Sequence, residues 1–123
     1  MRHGWVGLLL VLTMLALPNG ARADSYGASA AGISGDQVGV GAAEDYPTQA
    51  AADAEAMKEC RARTSNCQIV GEFSNGGCGF ITTAASDGTC YGYGASPIEA
   101  AKACESRGCG VCQNPIGGCT KGR

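Results

Sequence analysis

The stretch Ser34-Gly35-Asp36-Gln37-Val38-Gly39-Val40-Gly41-Ala42 has a second version in the same chain, Ser86-Asp87-Gly88-Thr89-Cys90-Tyr91-Gly92-Tyr93-Gly94-Ala95. Each is a polar glycine turn followed by x-Gly-x-Gly-Ala. Alternating glycine reads as a strand with one face stripped of side chains. An alanine-rich stretch ending in cysteine follows each version, first Thr48–Cys60 and then Ser96–Cys104. A third block closes each series: Cys67-Gln68 … Gly76-Gly77-Cys78, then Cys112-Gln113 … Gly117-Gly118-Cys119. A bias toward Ala and Gly can imitate one match. Three matches in one order imply duplication of a unit of about fifty residues.

Outward from these blocks, each half reads as strand, strand, helix, strand. Tyr26–Ala31 and Gln37–Ala42 flank the turn at Ser34-Gly35-Asp36. A helix is expected over Thr48–Arg61, with Thr48 as its cap and Ala50, Ala54 and Met57 on one face. Gln68–Phe73 is the next strand, ended by Ser74-Asn75-Gly76-Gly77. In the second half, Gly79–Ala84 and Thr89–Ala95 flank Ser86-Asp87-Gly88. Ser96-Pro97-Ile98-Glu99 then starts a helix: a capping serine, proline at the first position and glutamate three residues after the cap. That helix is about one turn shorter from cap to cysteine, which keeps the cysteine on the same face. The expected fold is α+β, a small disulfide-rich domain of two similar strand-strand-helix-strand halves, about 24–77 and 78–123.

Residues 1–23 read as a signal peptide. Arg2 supplies the positive charge, Trp5–Leu17 the apolar run, and Ala21-Arg22-Ala23 the small-x-small cleavage pattern. The run is too short for the roughly 20 residues of a spanning helix. Cleavage leaves 24–123 as one domain. The full chain carries nine Lys+Arg and eleven Asp+Glu; Arg2 and Arg22 leave with the leader, so seven face eleven, a charge of −4. A nucleic-acid partner needs a positive footprint, and none is expected here. Anionic membrane surfaces are disfavoured for the same reason.

All eight cysteines lie beyond the leader: Cys60, Cys67, Cys78, Cys90, Cys104, Cys109, Cys112 and Cys119. An even, dense set in a short exported chain is a disulfide framework, standing in for a thin hydrophobic core. Each bridge contributes about 2–4 kcal/mol. Sequence alone leaves the connectivity open, but the duplication suggests one. Cys60–Cys67 and Cys104–Cys112 are equivalent local staples, each running from a helix end to the next strand. Cys78–Cys119 joins equivalent positions after Gly-Gly and is expected to tie the halves together. Cys90 and Cys109 have no counterparts and are paired with each other.

The sequence offers little catalytic chemistry. Its one histidine, His3, lies in the leader, so the mature chain has no Ser-His-Asp or Cys-His relay and no His-ligated metal site. Glu44, Asp45, Asp53, Glu55 and Glu59 leave carboxylate-pair hydrolysis open, against the plainer reading of a solvated acidic face. Cys109-Gly110-Val111-Cys112 is a Cys-x-x-Cys, readable as a redox dithiol or half a zinc site. It comes after a helix C-terminus, where the dipole has the wrong sign for a reactive thiolate, and a second Cys-x-x-Cys is missing. Tyr91 and Tyr93 share one strand face. They either cover core, with a helix on the glycine strip opposite, or form with Tyr26 and Tyr46 an exposed aromatic surface for a partner.

On these residues the chain resembles a bacterial family of exported proteins, domain of unknown function 4189. The resemblance rests on Tyr26-Gly27-Ala28, on Tyr91-Gly92-Tyr93-Gly94, on the helix ends Met57–Cys60 and Ala101–Cys104, and on Asn75–Gly79. The shorter second helix and the pair Cys90 and Cys109 depart from the pattern. The resemblance implies compartment and fold rather than an activity. The expected protein is secreted or periplasmic, non-enzymatic, without cofactor or metal, and binds a protein or polysaccharide. The alternatives are a thiol–disulfide protein using Cys109 and Cys112, or a carboxylate-type hydrolase of envelope polysaccharide.

Overall fold

A computed structural model of the chain describes residues 23–35, 37–85 and 87–122. The expected leader up to residue 22, and Asp36 and Ser86 of the two turns, lie outside the described residues. The elements run β1 (Tyr26–Ser34), β2 (Gln37–Tyr46), α1 (Gln49–Arg61), β3 (Cys67–Ser74), β4 (Cys78–Ala84), β5 (Asp87–Gly94), α2 (Pro97–Ser106) and β6 (Ile116–Cys119). They build two antiparallel sheets of order β2-β1-β3 and β5-β4-β6. In both, the first strand is central, a tight hairpin brings the second to one side, and the third returns after the helix to the other. The α+β, disulfide-rich fold expected from the sequence is the fold observed.

Local chemistry starts the helices where the sequence says. The Thr48 hydroxyl accepts from the Ala51 N–H at 3.1 Å, and the Ser96 hydroxyl from the Glu99 N–H at 3.1 Å. Pro97 opens α2, and Glu99 reaches back to accept from the Ala95 N–H at 3.0 Å. The buried face of α1 differs from the expected one. It is Ala52, Ala56 and Cys60, while Ala50 and Ala54 are exposed. In a helix this rich in alanine, periodicity barely distinguishes faces. The bond from Cys60 to Cys67 on β3 decides which side turns inward.

Each helix lies on the glycine-bearing face of a strand. A Cβ on Gly41 would collide with the Ala56 carbonyl oxygen and crowd the Cys60 nitrogen. One on Gly92 would meet the Ala100 carbonyl oxygen and the Cys104 nitrogen. Gly41 is therefore the structural counterpart of Gly92, whereas the sequence blocks set Gly39 there. The slip is two residues, and an even slip in a strand preserves the face. The extra turn of α1 consequently sits at its N-terminal end.

The opposite faces of the two sheets pack on each other. Tyr93 of β5 lies over Gly71 of β3, Phe73 of β3 over Gly27 and Gly79, and Gly88 of β5 abuts Gly32 of β1. The result is four layers: helix, sheet, sheet, helix. The first helical layer is filled by Ala28, Ala30, Ala43, Ala52, Ala56 and Cys60, all buried. Small side chains bring backbones close, so contact is tight but apolar area is modest.

The structure joins Cys60–Cys67, Cys78–Cys119, Cys90–Cys109 and Cys104–Cys112. The expectation that Cys78–Cys119 ties the halves together needs correction. Cys78 opens β4 and faces Cys119 directly across the β4–β6 ladder, so this bridge lies within the second sheet. The chain passes from one sheet to the other before Cys78, in the turn at Asn75 and Gly76, which both have positive φ.

Candidate functional site

The first half exceeds the second at the end of its second strand. β2 runs on through Glu44, Asp45 and Tyr46 before the cap at Thr48, whereas Gly94 is followed at once by Ala95 and the cap Ser96. Of these, Asp45 and Tyr46, with Pro47 after them, form one wall of a cleft of about 700 Å³. Asp24 and Ser25 line it from the start of the described chain, Asp45 to Pro47 from the β2 extension, and Lys121 and Gly122 from the end.

Asp45 is the hub of this cleft. Its φ of 62° is left-handed, a conformation aspartate tolerates better than most residues. Its Oδ1 accepts from the Ser25 hydroxyl at 2.9 Å and from the Lys121 N–H at 2.9 Å, which stitches the segments before β1 and after β6 to β2. Those two bonds, the backbone one foremost, hold its carboxyl below the usual aspartate range. Asn75 fixes the neighbouring strand entry. Its Oδ1 accepts from the Ser25 N–H at 3.0 Å, and its own N–H donates to the Ser25 carbonyl at 2.8 Å.

Glu44, one residue earlier, behaves oppositely. Its side chain reaches over Gly118 of β6, between the sheets. Burial pushes its pKa up, and the nearby charges of Glu59 and Asp45 push the same way. Tyr46 stands among acids as well. Its phenol pKa is raised by desolvation and by Glu55, Glu59 and Glu44. Glu59 is fixed from α1 by accepting the edge Ala42 N–H at 3.0 Å.

The register shows what is unusual about this corner. Ser29 of β1 faces Ala42 on one side and Gly71 on the other, as Ile81 of β4 faces Tyr93 and Ile116. Gly27 faces Phe73, as Gly79 faces Gly118. Tyr93 thus holds the place of Ala42, and Phe73 that of Gly118. Where β3 meets β5, two aromatic rings fill the space between the sheets. Where β2 meets β6, alanine and glycine leave room, and a carboxylate enters it.

The remaining candidate residues are dispersed. Tyr91 and Tyr93 face the layer between the sheets, with Arg107 over the Tyr91 ring at 4.6 Å; burial raises the Tyr93 phenol pKa. Tyr26 and Tyr46 pair across β1 and β2 on the α1 side. The four tyrosines therefore do not form one surface, and of the four Tyr46 alone lines the cleft. Cys109 and Cys112 are bonded to β5 and α2 respectively rather than to each other. Among the described residues there is no free cysteine, and no group of three or more His, Cys, Asp or Glu could hold a metal ion. No described helix is long and apolar enough to cross a membrane.

Asp53 has a partner the sequence did not suggest. It is hydrogen-bonded to Glu72 of β3, whose pKa this contact raises, and Gln49 Nε2 donates to Asp53 Oδ1 at 2.9 Å. Asp24, Lys121 and Glu72 were not among the sequence candidates. Each meets its neighbours only through folding, and none stands in a motif.

These features define a class, a small disulfide-stapled α+β domain of two like-built halves with a cleft where the segment before β1 meets the segment after β6. Within that class, the chain belongs to the family described as Domain of unknown function (DUF4189), which matches residues 26–119. Neither a search of curated proteins nor one of solved structures finds a match.

Proposed function

We propose that this protein is an exported, non-enzymatic binding module, acting in the periplasm or outside the cell on a protein or polysaccharide of the envelope. The observation that carries the reading is the cleft where the end of β2 meets the segments before β1 and after β6, in a molecule whose helix–sheet and sheet–sheet interfaces are closely filled. Export is supported by the leader pattern and by four bridges on a small core. A mature charge of −4 argues against nucleic acid. The matching sheet orders support an origin by duplication. No cofactor or metal takes part.

The test is an NMR titration of the oxidised 24–123 protein with soluble envelope glycan fragments and envelope peptides. Shifts concentrated at residues 45–47 and 121–122 support the module. Saturating ligand without shifts there overturns it. A second reading, carboxylate hydrolysis, is favoured by one observation: adjacent Glu44 and Asp45 are pushed to opposite sides of the usual range, as an acid and a base require. It demands turnover of a glycan that Glu44→Gln and Asp45→Asn each abolish.

A further inference from the structure

We infer that the Cys78–Cys119 bridge is a thiol-exchange site: a dithiol reductant opens it ahead of the other three, and its opening releases the cleft wall formed by Lys121 and Gly122. Bridge and wall behave this way whatever the cleft binds. Access sets this bridge apart. Among the eight cysteines Cys119 alone is exposed, and Cys78 is half-buried. Cys60–Cys67 and Cys104–Cys112 each contain one cysteine with no exposed surface, and both members of Cys90–Cys109 are half-buried. Gly79 faces the layer between the sheets, so its neighbour Cys78 points to the opposite face, where α2 lies. There α2 packs on β5 and β4, and β6 forms the edge beyond them. Reduction requires a thiolate to reach one of the two sulfurs, and exposed bridges are the labile ones.

Placement gives the bond its leverage. β6 is four residues long, pairs only with β4, and has both its terminal residues exposed. So short an edge strand opens locally at low cost, and the bridge is its covalent hold. Directly after Cys119 comes the clasp that forms the cleft wall. The Thr120 N–H donates to the Gly77 carbonyl at 2.9 Å, and the Thr120 hydroxyl accepts from the Gly76 N–H at 3.0 Å. The Lys121 N–H then donates to Asp45 at 2.9 Å. With the bridge intact, a segment fixed at its root makes these bonds. With it open, they hold the strand end alone.

The exchange balances. One thiolate of the dithiol attacks Cys119 Sγ, the S–S bond breaks, and Cys78 leaves as a thiolate that takes up a proton. The second thiol of the reductant, deprotonated, closes on the first sulfur and releases Cys119. The dithiol is oxidised to a disulfide and the cystine is reduced to two thiols.

The experiment treats the wild-type oxidised protein with dithiothreitol and, in a second arm, with reduced thioredoxin. Samples are quenched by alkylation at intervals and peptide-mapped. Cys78 and Cys119 should be modified about tenfold faster than any other pair. In the doubly alkylated protein, amide hydrogen exchange at residues 117–121 should rise about tenfold or more, with α1 and β1 unchanged. The double substitution Cys78→Ala and Cys119→Ala, which carries no alkyl group, should show the same rise without reductant. Reaction with thioredoxin as well extends the site to protein dithiols, and reaction with dithiothreitol alone restricts it to small ones; both results support it. Earlier or simultaneous modification of another pair in both arms overturns the exchange site. Unchanged exchange at Lys121 in the doubly alkylated protein overturns the release of the wall.

Discussion

The two helix ends show how one scaffold can be secured in different ways. Beyond the end of α1, Gly39 on β2 is covered by Thr64, a buried residue in simple van der Waals contact. At the matching place beyond α2, Cys90 on β5 is bonded to Cys109. A contact on one side is a covalent bond on the other. The two sheet junctions contrast similarly, rings filling one and Glu44 entering the other. The half with the extra bridge carries the shorter helix and the four-residue strand β6. Reinforcement falls where regular structure is short.

The equivalence of Gly41 and Gly92 gives the largest expected effect. Gly41→Val and Gly92→Val should each cost about 3 kcal/mol or more, because a backbone carbonyl stands where the side chain must go. Urea denaturation of the oxidised proteins measures this, and a loss confined to one side would break the equivalence. Removing the extra bridge with the double substitution Cys90→Ser and Cys109→Ser should cost about 3 kcal/mol through the closed loop of about twenty residues. Calorimetry should show the other three bridges still holding a single cooperative transition. Phe73→Ala should cost about 2–3 kcal/mol by emptying the filled junction. The matching change in the open corner, Ala42→Leu, should cost less than that; an equal or larger loss would show the corner is not open.

The smallest effects are those of pH, and their signs oppose. Asp45 and Asp87 have lowered pKa values, so their contributions are present above the unfolded aspartate pKa and lost as pH falls through the folded values. Glu44 has a raised pKa, so its contribution is full below the unfolded glutamate pKa and lost as pH rises through the folded one. Asp45→Asn should flatten the acid limb of a stability–pH curve, and Glu44→Gln should raise stability at neutral pH slightly. A fall in stability at neutral pH for Glu44→Gln would show that its charge is compensated.

The sequence displayed the elements well because their signals are local. Ser96-Pro97-Ile98-Glu99 contains its own hydrogen-bond partners, and a glycine strip facing a helix is readable from alternation alone. It displayed less where two distant segments decide. Which face of α1 is buried depends on a bridge to β3, and the two-residue slip of Gly41 against Gly92 depends on how the helix settles. The site was least legible. Glu44 and Asp45 stand in the sequence as neighbouring acids, but their opposite protonation behaviour arises from Gly118, Ser25 and Lys121, which reach them only through the fold. Asp24 and Lys121 have no motif to mark them, because what makes them neighbours is the closing of the chain on itself.

The alanine-filled layer under α1 has a thermal consequence. Unfolding exposes mostly methyl groups and backbone, with few large aliphatic side chains, since Ile81 is the one such residue among the largest fully buried. The heat-capacity increment of unfolding, which grows with apolar area exposed, should fall below the about 12–15 cal/mol/K per residue of ordinary globular proteins. A small increment flattens the curve of free energy against temperature. Such a protein would lose little of its stability on cooling, and would approach its melting point along a shallow slope.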